Sequence, residues 1–124
     1  MKLNAFLKIH AVIALVFALG FLFIPTLILS FYTSVELNEA GVFMARLFAS
    51  AILTYAAVLW FAADTPDSEA KRAIVKGFFF TMLIGFAVAL HFQLTGPINA
   101  LGWSTVALYA VLSACYFKFN NAQA

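Results

Sequence analysis

Charge is what this chain has least of: of its 124 residues only 10% are Asp, Glu, Lys or Arg. No acidic residue lies inside a long apolar stretch, because Glu36, Glu39, Asp64, Asp67 and Glu69 all fall in the polar runs between them. A proton-coupled carrier normally relies on a carboxylate at membrane depth, so a small multidrug-type exporter of similar size is a poor match. The single cysteine, Cys115, excludes an intramolecular disulfide and any CxxC redox or metal motif, and it reads as a small packing residue. Two histidines, His10 and His91, sit at opposite membrane ends, and neither has a second His or Cys spaced to complete a metal site. No metal, haem or other cofactor is expected. Ser/His/Asp arrangements, a P-loop and Gly-rich phosphate motifs are missing as well, which disfavours enzymatic activity. The basic residues are scattered and not interleaved with aromatics, so no nucleic-acid partner is expected.

What fills the chain is apolar: 65% of it is hydrophobic and Phe alone occurs 15 times. Soluble domains hold about 45–50% apolar residues, and one this small buries only about two-thirds of its unfolded surface. Lipid removes the need to bury so many phenylalanines, and the composition predicts an integral membrane protein whose first partner is the lipid bilayer. A membrane-spanning helix needs about 20 apolar residues, and four stretches qualify, with expected helices at about 4–24, 40–63, 70–94 and 98–119. Lys2 and Lys8 ahead of an apolar run also describe a signal peptide. Here the apolar region continues past Pro25 to Tyr32 without a small-residue cleavage site, which predicts an uncleaved first helix. Pro25 should end or kink that helix and suits the first turn of a short interfacial segment at about 25–32. Ser68 is placed to cap the third long helix, and Thr95, Gly96 and Pro97 should end it. The expected fold class is all-α, a single transmembrane four-helix bundle over residues 1–124 in which sequential neighbours pack antiparallel.

Orientation follows from counting cations. Lys2, Lys8, Lys71, Arg72, Lys76 and Lys118 all fall on one side once the four stretches are threaded through a bilayer. Lys and Arg are retained in the cytoplasm, so both termini are expected to be cytoplasmic in a multi-pass protein of the cell inner membrane.

Small residues mark the faces expected to pack, because helices associate in lipid through close backbone approach. The third long helix carries Gly77, Thr81, Gly85 and Ala89 at every fourth position, and the second carries Gly41, Ala45 and Ala49. These stripes should hold the bundle together, or one of them should form a homo-oligomer contact. The seventh cation, Arg46, falls inside the second helix, ~8 Å along the axis from its expected start. Glu39, Arg46, Ser50, Thr54 and Ala57 share a helical side, and that side should look into the bundle. Glu36, His91, Gln93 and Asn99 belong to the same membrane half. Two readings are open: these groups satisfy the guanidinium and tie loops to helices, or they form a ligand site.

The strings Ala45-Arg46-Leu47-Phe48-Ala49-Ser50-Ala51, Ser68 to Gly77 (SEAKRAIVKG) and Asn99 to Tyr109 (NALGWSTVALY) resemble a widespread group of small, uncharacterised bacterial four-helix membrane proteins. More distantly, the chain is similar in size and layout to DoxX-type membrane proteins, although no DoxX motif matches residue by residue. The resemblance implies a four-helix fold in a bacterial inner membrane and brings no activity with it. The expected function is a non-enzymatic bundle that associates with other membrane components or binds a small amphiphile. The alternative is a small carrier or redox accessory subunit with its ligand near Arg46. A membrane-protein partner or a second copy of the chain fits the first reading.

Overall fold

A computed structural model of the chain describes residues 1–123; Ala124, the end of the expected polar tail, lies outside the described residues. The fold is all-helical, with α1 (Leu3–Phe23), α2 (Pro25–Ser30), α3 (Glu39–Ala63), α4 (Glu69–Thr95) and α5 (Gly102–Gln123), and no strand occurs among the described residues. Three helices, α1, α3 and α4, are long and apolar enough to cross a membrane. Helix α5 is 22 residues long, but Trp103, Ser104, Thr105, Tyr109, Ser113 and Tyr116 make it less apolar. The chain divides into two compact units, Met1–Thr65 and Pro66–Ala124.

In the first unit α1 and α3 pack antiparallel. At one end Lys8 Nζ lies 2.7 Å from Asp64 Oδ1 and 5.2 Å from the centre of the Trp60 ring. Toward the other end Phe21 meets Phe48 edge-on, with ring centroids 5.6 Å apart. Between these clamps the seam is built from methyl groups: Ala14 and Ala18 of α1 form one buried cluster with Ile52 and Ala56 of α3, and Leu53 and Tyr55 pack against it. Alanine allows close approach without the helix-weakening backbone freedom of glycine. Ala49 is fully buried, Ala45 is half-buried, and Gly41 serves the helix start instead. Asn38 caps α3 by accepting the Gly41 N–H at 2.8 Å, and a Cβ on Gly41 would come within 2.9 Å of Leu37 Cδ2.

Pro25 breaks the chain sharply. Ile24 leaves the helical region at φ −134°, ψ 51°, and α2 begins with Pro25 in its first turn. The turn folds α2 back over the end of α1, so that Ile28 Cδ1 comes within 3.2 Å of where a Gly20 Cβ would stand. A straight helix would hold residues eight apart at ~12 Å.

The second unit is an antiparallel hairpin of α4 and α5. Phe78 stacks on Tyr116 at 5.9 Å and Phe79 meets Phe117 at the same distance. Farther along, the bare backbone of Gly85 receives the ring of Tyr109, which a Cβ there would overlap. Ser68 caps α4, its hydroxyl accepting the Lys71 N–H at 3.2 Å. Before the cap, the Arg72 guanidinium donates to both oxygens of Asp67 and holds that carboxyl below its ordinary range. Helix α5 begins three or four residues later than composition suggests. The chain from Asn99 first forms a tight turn, in which the N–H groups of Gly102, Trp103 and Ser104 donate to the carbonyls three residues back.

The small-residue stripe on α4 is thus not uniform. Gly85 is a contact, Thr81 and Ala89 are half-buried, and Gly77 faces open space. Replacing Gly85 by Leu should lower stability by about 1–3 kcal/mol or more through overpacking, whereas Gly77→Leu should be neutral or stabilise by up to ~1 kcal/mol through helix propensity. Thermal unfolding of the two variants in detergent separates these outcomes; equal effects would remove Tyr109 from the Gly85 seam.

Candidate functional site around Arg46

The geometry of Arg46 starts from a proline. Pro25 has no N–H, so Phe21 O loses the donor that a continuing helix would supply, and the turn at Ile24 carries the next amides away. The end of α1 keeps one backbone bond across the break, Ile24 N–H to Gly20 O at 2.9 Å. Arg46, seven residues into α3, reaches across the antiparallel seam and donates its Nε–H to Leu22 O at 3.2 Å. A cation at a helix C-terminus is favoured by the helix dipole as well as by the hydrogen bond. In apolar surroundings an unsatisfied carbonyl would cost several kcal/mol.

The expected carboxylate partners are placed elsewhere. Glu36 and Glu39 are exposed and enter no ion pair among the described residues. Glu39 occupies the first turn of α3, where a negative charge complements the dipole. The side of α3 bearing Arg46, Ser50, Thr54 and Ala57 is exposed, while Ala49, Ile52, Ala56, Leu59 and Ala63 form the buried side. Within the first unit the polar side expected to look into the bundle is not the one packed on α1: alanine and isoleucine fill that contact, where a guanidinium would have to be desolvated. Ser50 and Thr54 satisfy their own hydroxyls on the helix, Ser50 Oγ donating to Leu47 O at 2.7 Å and Thr54 Oγ1 to Ser50 O at 3.3 Å.

The remaining expected residues lie in the second unit and are engaged locally. Gln93 Nε2 donates to Asn99 O at 3.0 Å, and Asn99 Oδ1 accepts the Leu101 N–H at 2.9 Å, so the pair shapes the turn into α5. The Gln93 side chain lies over Gly102, whose missing Cβ makes room for it. His91 is exposed, its ring edge-on to Phe92 at 5.4 Å and its carbonyl accepting from Thr95 Oγ1 at 2.7 Å. Among the described residues no three His, Cys, Asp or Glu side chains converge on a metal position.

Sequence reasoning missed Leu22 O as the partner of Arg46, although Pro25 carried the signal: an interior proline frees a carbonyl about one turn earlier. It also missed Asn38 as a cap and the alanines of α1. The geometry leads to a direct expectation. Arg46→Ala should destabilise the first unit by about 1–3 kcal/mol, the cost of stranding one carbonyl. Arg46→Lys should recover part of that, since an ammonium can donate but lacks the planar fork. Chemical or thermal unfolding in detergent measures both; an unchanged Arg46→Ala would show that Leu22 O is satisfied without the guanidinium.

No curated protein and no solved structure matches the chain. Residues 8–122 match the family described as "Domain of unknown function (DUF8292)", which spans both units and nearly every side chain discussed above, and the chain belongs to that family.

Proposed function

We propose that the chain is a multi-pass integral protein of a bacterial inner membrane, a four-span bundle with both ends of this sequence on the cytoplasmic side. In this reading it acts by holding other membrane components, a small amphiphile first among them, and carries out no catalysis. The apolarity of α1, α3 and α4 supports the membrane setting. Helix α5 serves as the fourth span: its 22 residues cover ~33 Å at 1.5 Å per residue, its pairing with α4 is antiparallel, and Lys118 is its only charge. The placement of six of the seven cations in three segments that alternate with cation-free loops supports the orientation.

One observation carries the binding role. The polar side chains along α3 and around the α4–α5 turn bond to their own helix or loop, whereas Arg46 spends one donor on Leu22 O and stays exposed. These bonded side chains offer no acid, base or nucleophile aimed at a common point. Arg46 remains a cation able to hold the head of an amphiphile.

The topology is tested with single cysteines in a Cys115→Ala background. Ser34→Cys and Ala100→Cys should react with a membrane-impermeant thiol reagent added to intact cells, and Ser68→Cys should react only after the membrane is opened. Labelling of position 68 in intact cells would reverse the orientation, and extraction of the protein by carbonate would remove the membrane reading altogether.

A further inference from the structure

We infer that Arg46 and the exposed face of α3 running from it form a binding site for an amphiphile with an oxyanionic head, a phosphodiester or a carboxylate, in the leaflet opposite the cytoplasmic lysines. The inference rests on the membrane reading above and names the ligand class and the residue that reads it. A guanidinium has five N–H donors. Arg46 uses Nε–H on Leu22 O, and no acceptor among the described residues takes the four Nη donors. Two of the four, one on each Nη, form the outer edge of the fork, an edge that pairs in bidentate fashion with two oxygens of a phosphate or carboxylate. The bond to Leu22 O fixes the planar group at its inner edge and so pre-organises the outer one.

The position suits a headgroup. Arg46 stands seven residues from Glu39, hence ~10 Å along α3 from the polar loop, close to where a headgroup meets hydrocarbon. Among the described residues its charge has no counter-ion, and Glu36 and Glu39 make no ion pair. Phe43, Leu47, Ile24 and Leu27, all exposed, surround this level of the unit with apolar surface. From Arg46 toward the helix centre the same side carries Ser50, Thr54 and Ala57, three small exposed residues whose hydroxyls, where present, are turned back onto α3. That strip presents carbon and no free donor, which matches an acyl chain and excludes a polar tail. A soluble anion would gain the fork alone; an amphiphile gains both.

The experiment is a native mass-spectrometric titration of the detergent-solubilised protein with phosphatidylglycerol, phosphatidylethanolamine, oleate and inorganic phosphate. Phosphatidylglycerol or oleate should bind more tightly than phosphatidylethanolamine, and the better of the two identifies the head. Arg46→Gln should weaken that ligand about tenfold or more, the equivalent of one lost charge-assisted hydrogen bond, while Lys76→Gln, which removes an exposed cation of the second unit, should leave it unchanged. Because Arg46→Gln could also disturb the fold, a phosphatidylglycerol with a photoreactive acyl chain is crosslinked to the wild-type protein and should label the segment Phe43–Val58. Equal binding by wild type and Arg46→Gln, equal weakening by Lys76→Gln, crosslinks confined to α4 and α5, or inorganic phosphate binding as tightly as the lipid would each overturn the inference. Cysteine labelling and carbonate extraction of the same preparation report on the membrane reading separately.

Discussion

A backbone carbonyl in apolar surroundings must find a donor, and the first unit is arranged around one place where the chain itself cannot supply it. Pro25 removes an amide and turns α2 back over Gly20, which strands the last carbonyls of α1. The antiparallel seam brings α3 alongside at the level where Arg46 can reach Leu22 O. The hydrogen bond is available only because Ala14, Ala18, Ile52 and Ala56 let the two helices approach closely. A bulkier seam would separate the helix axes and move the guanidinium out of range. The clamp at the far end, Lys8 with Asp64 and Trp60, then sets the register of the whole pair.

The two units solve the same packing problem with different residues. In the first, alanines on both helices make a continuous narrow seam, and α2 closes it. In the second, aromatic side chains bridge the gap, and two glycines lie where a ring or an amide rests on the backbone: Gly85 under Tyr109 and Gly102 under Gln93. Regular small-xxx-small spacing therefore identifies residues that share a side and says nothing about whether a neighbour occupies it. Gly77 has the spacing and no neighbour within the reach of a Cβ.

The long helices were legible because each is an apolar run closed by residues with a fixed local chemistry: Pro25, the Asp64–Glu69 turn with Ser68, and the Thr95-Gly96-Pro97 break. The later start of α5 was not, since Asn99 competes for the first amides through its side chain and gives a tight turn where composition alone suggests helix. Arg46 stood out as the cation within an apolar stretch, but its surroundings did not. Periodicity groups Arg46, Ser50, Thr54 and Ala57 on one side without saying which way that side looks, and the greater volume of apolar contact on the Ala49–Ala63 side decides it. Gln93 and Asn99 suit a guanidinium by type, yet each finds a backbone partner within a few residues of itself. Short-range hydrogen bonds of this kind cost less ordering than a contact between distant segments, so they form first.

That preference for local satisfaction sets Arg46 apart from the hydroxyls around it. Ser50, Thr54, Thr95 and Ser104 have short side chains that reach carbonyls three or four residues back, on their own helix or, for Ser104, in the turn that enters it. An arginine side chain is too long for this and carries more donors than any single carbonyl can accept. One donor on Leu22 O relieves the break at Pro25, and no acceptor among the described residues takes the others, which is the observation the proposed oxyanion site rests on. In the membrane setting proposed for this protein, the residue that closes a defect in the backbone is thereby also the one on which the proposed selectivity for a lipid headgroup rests.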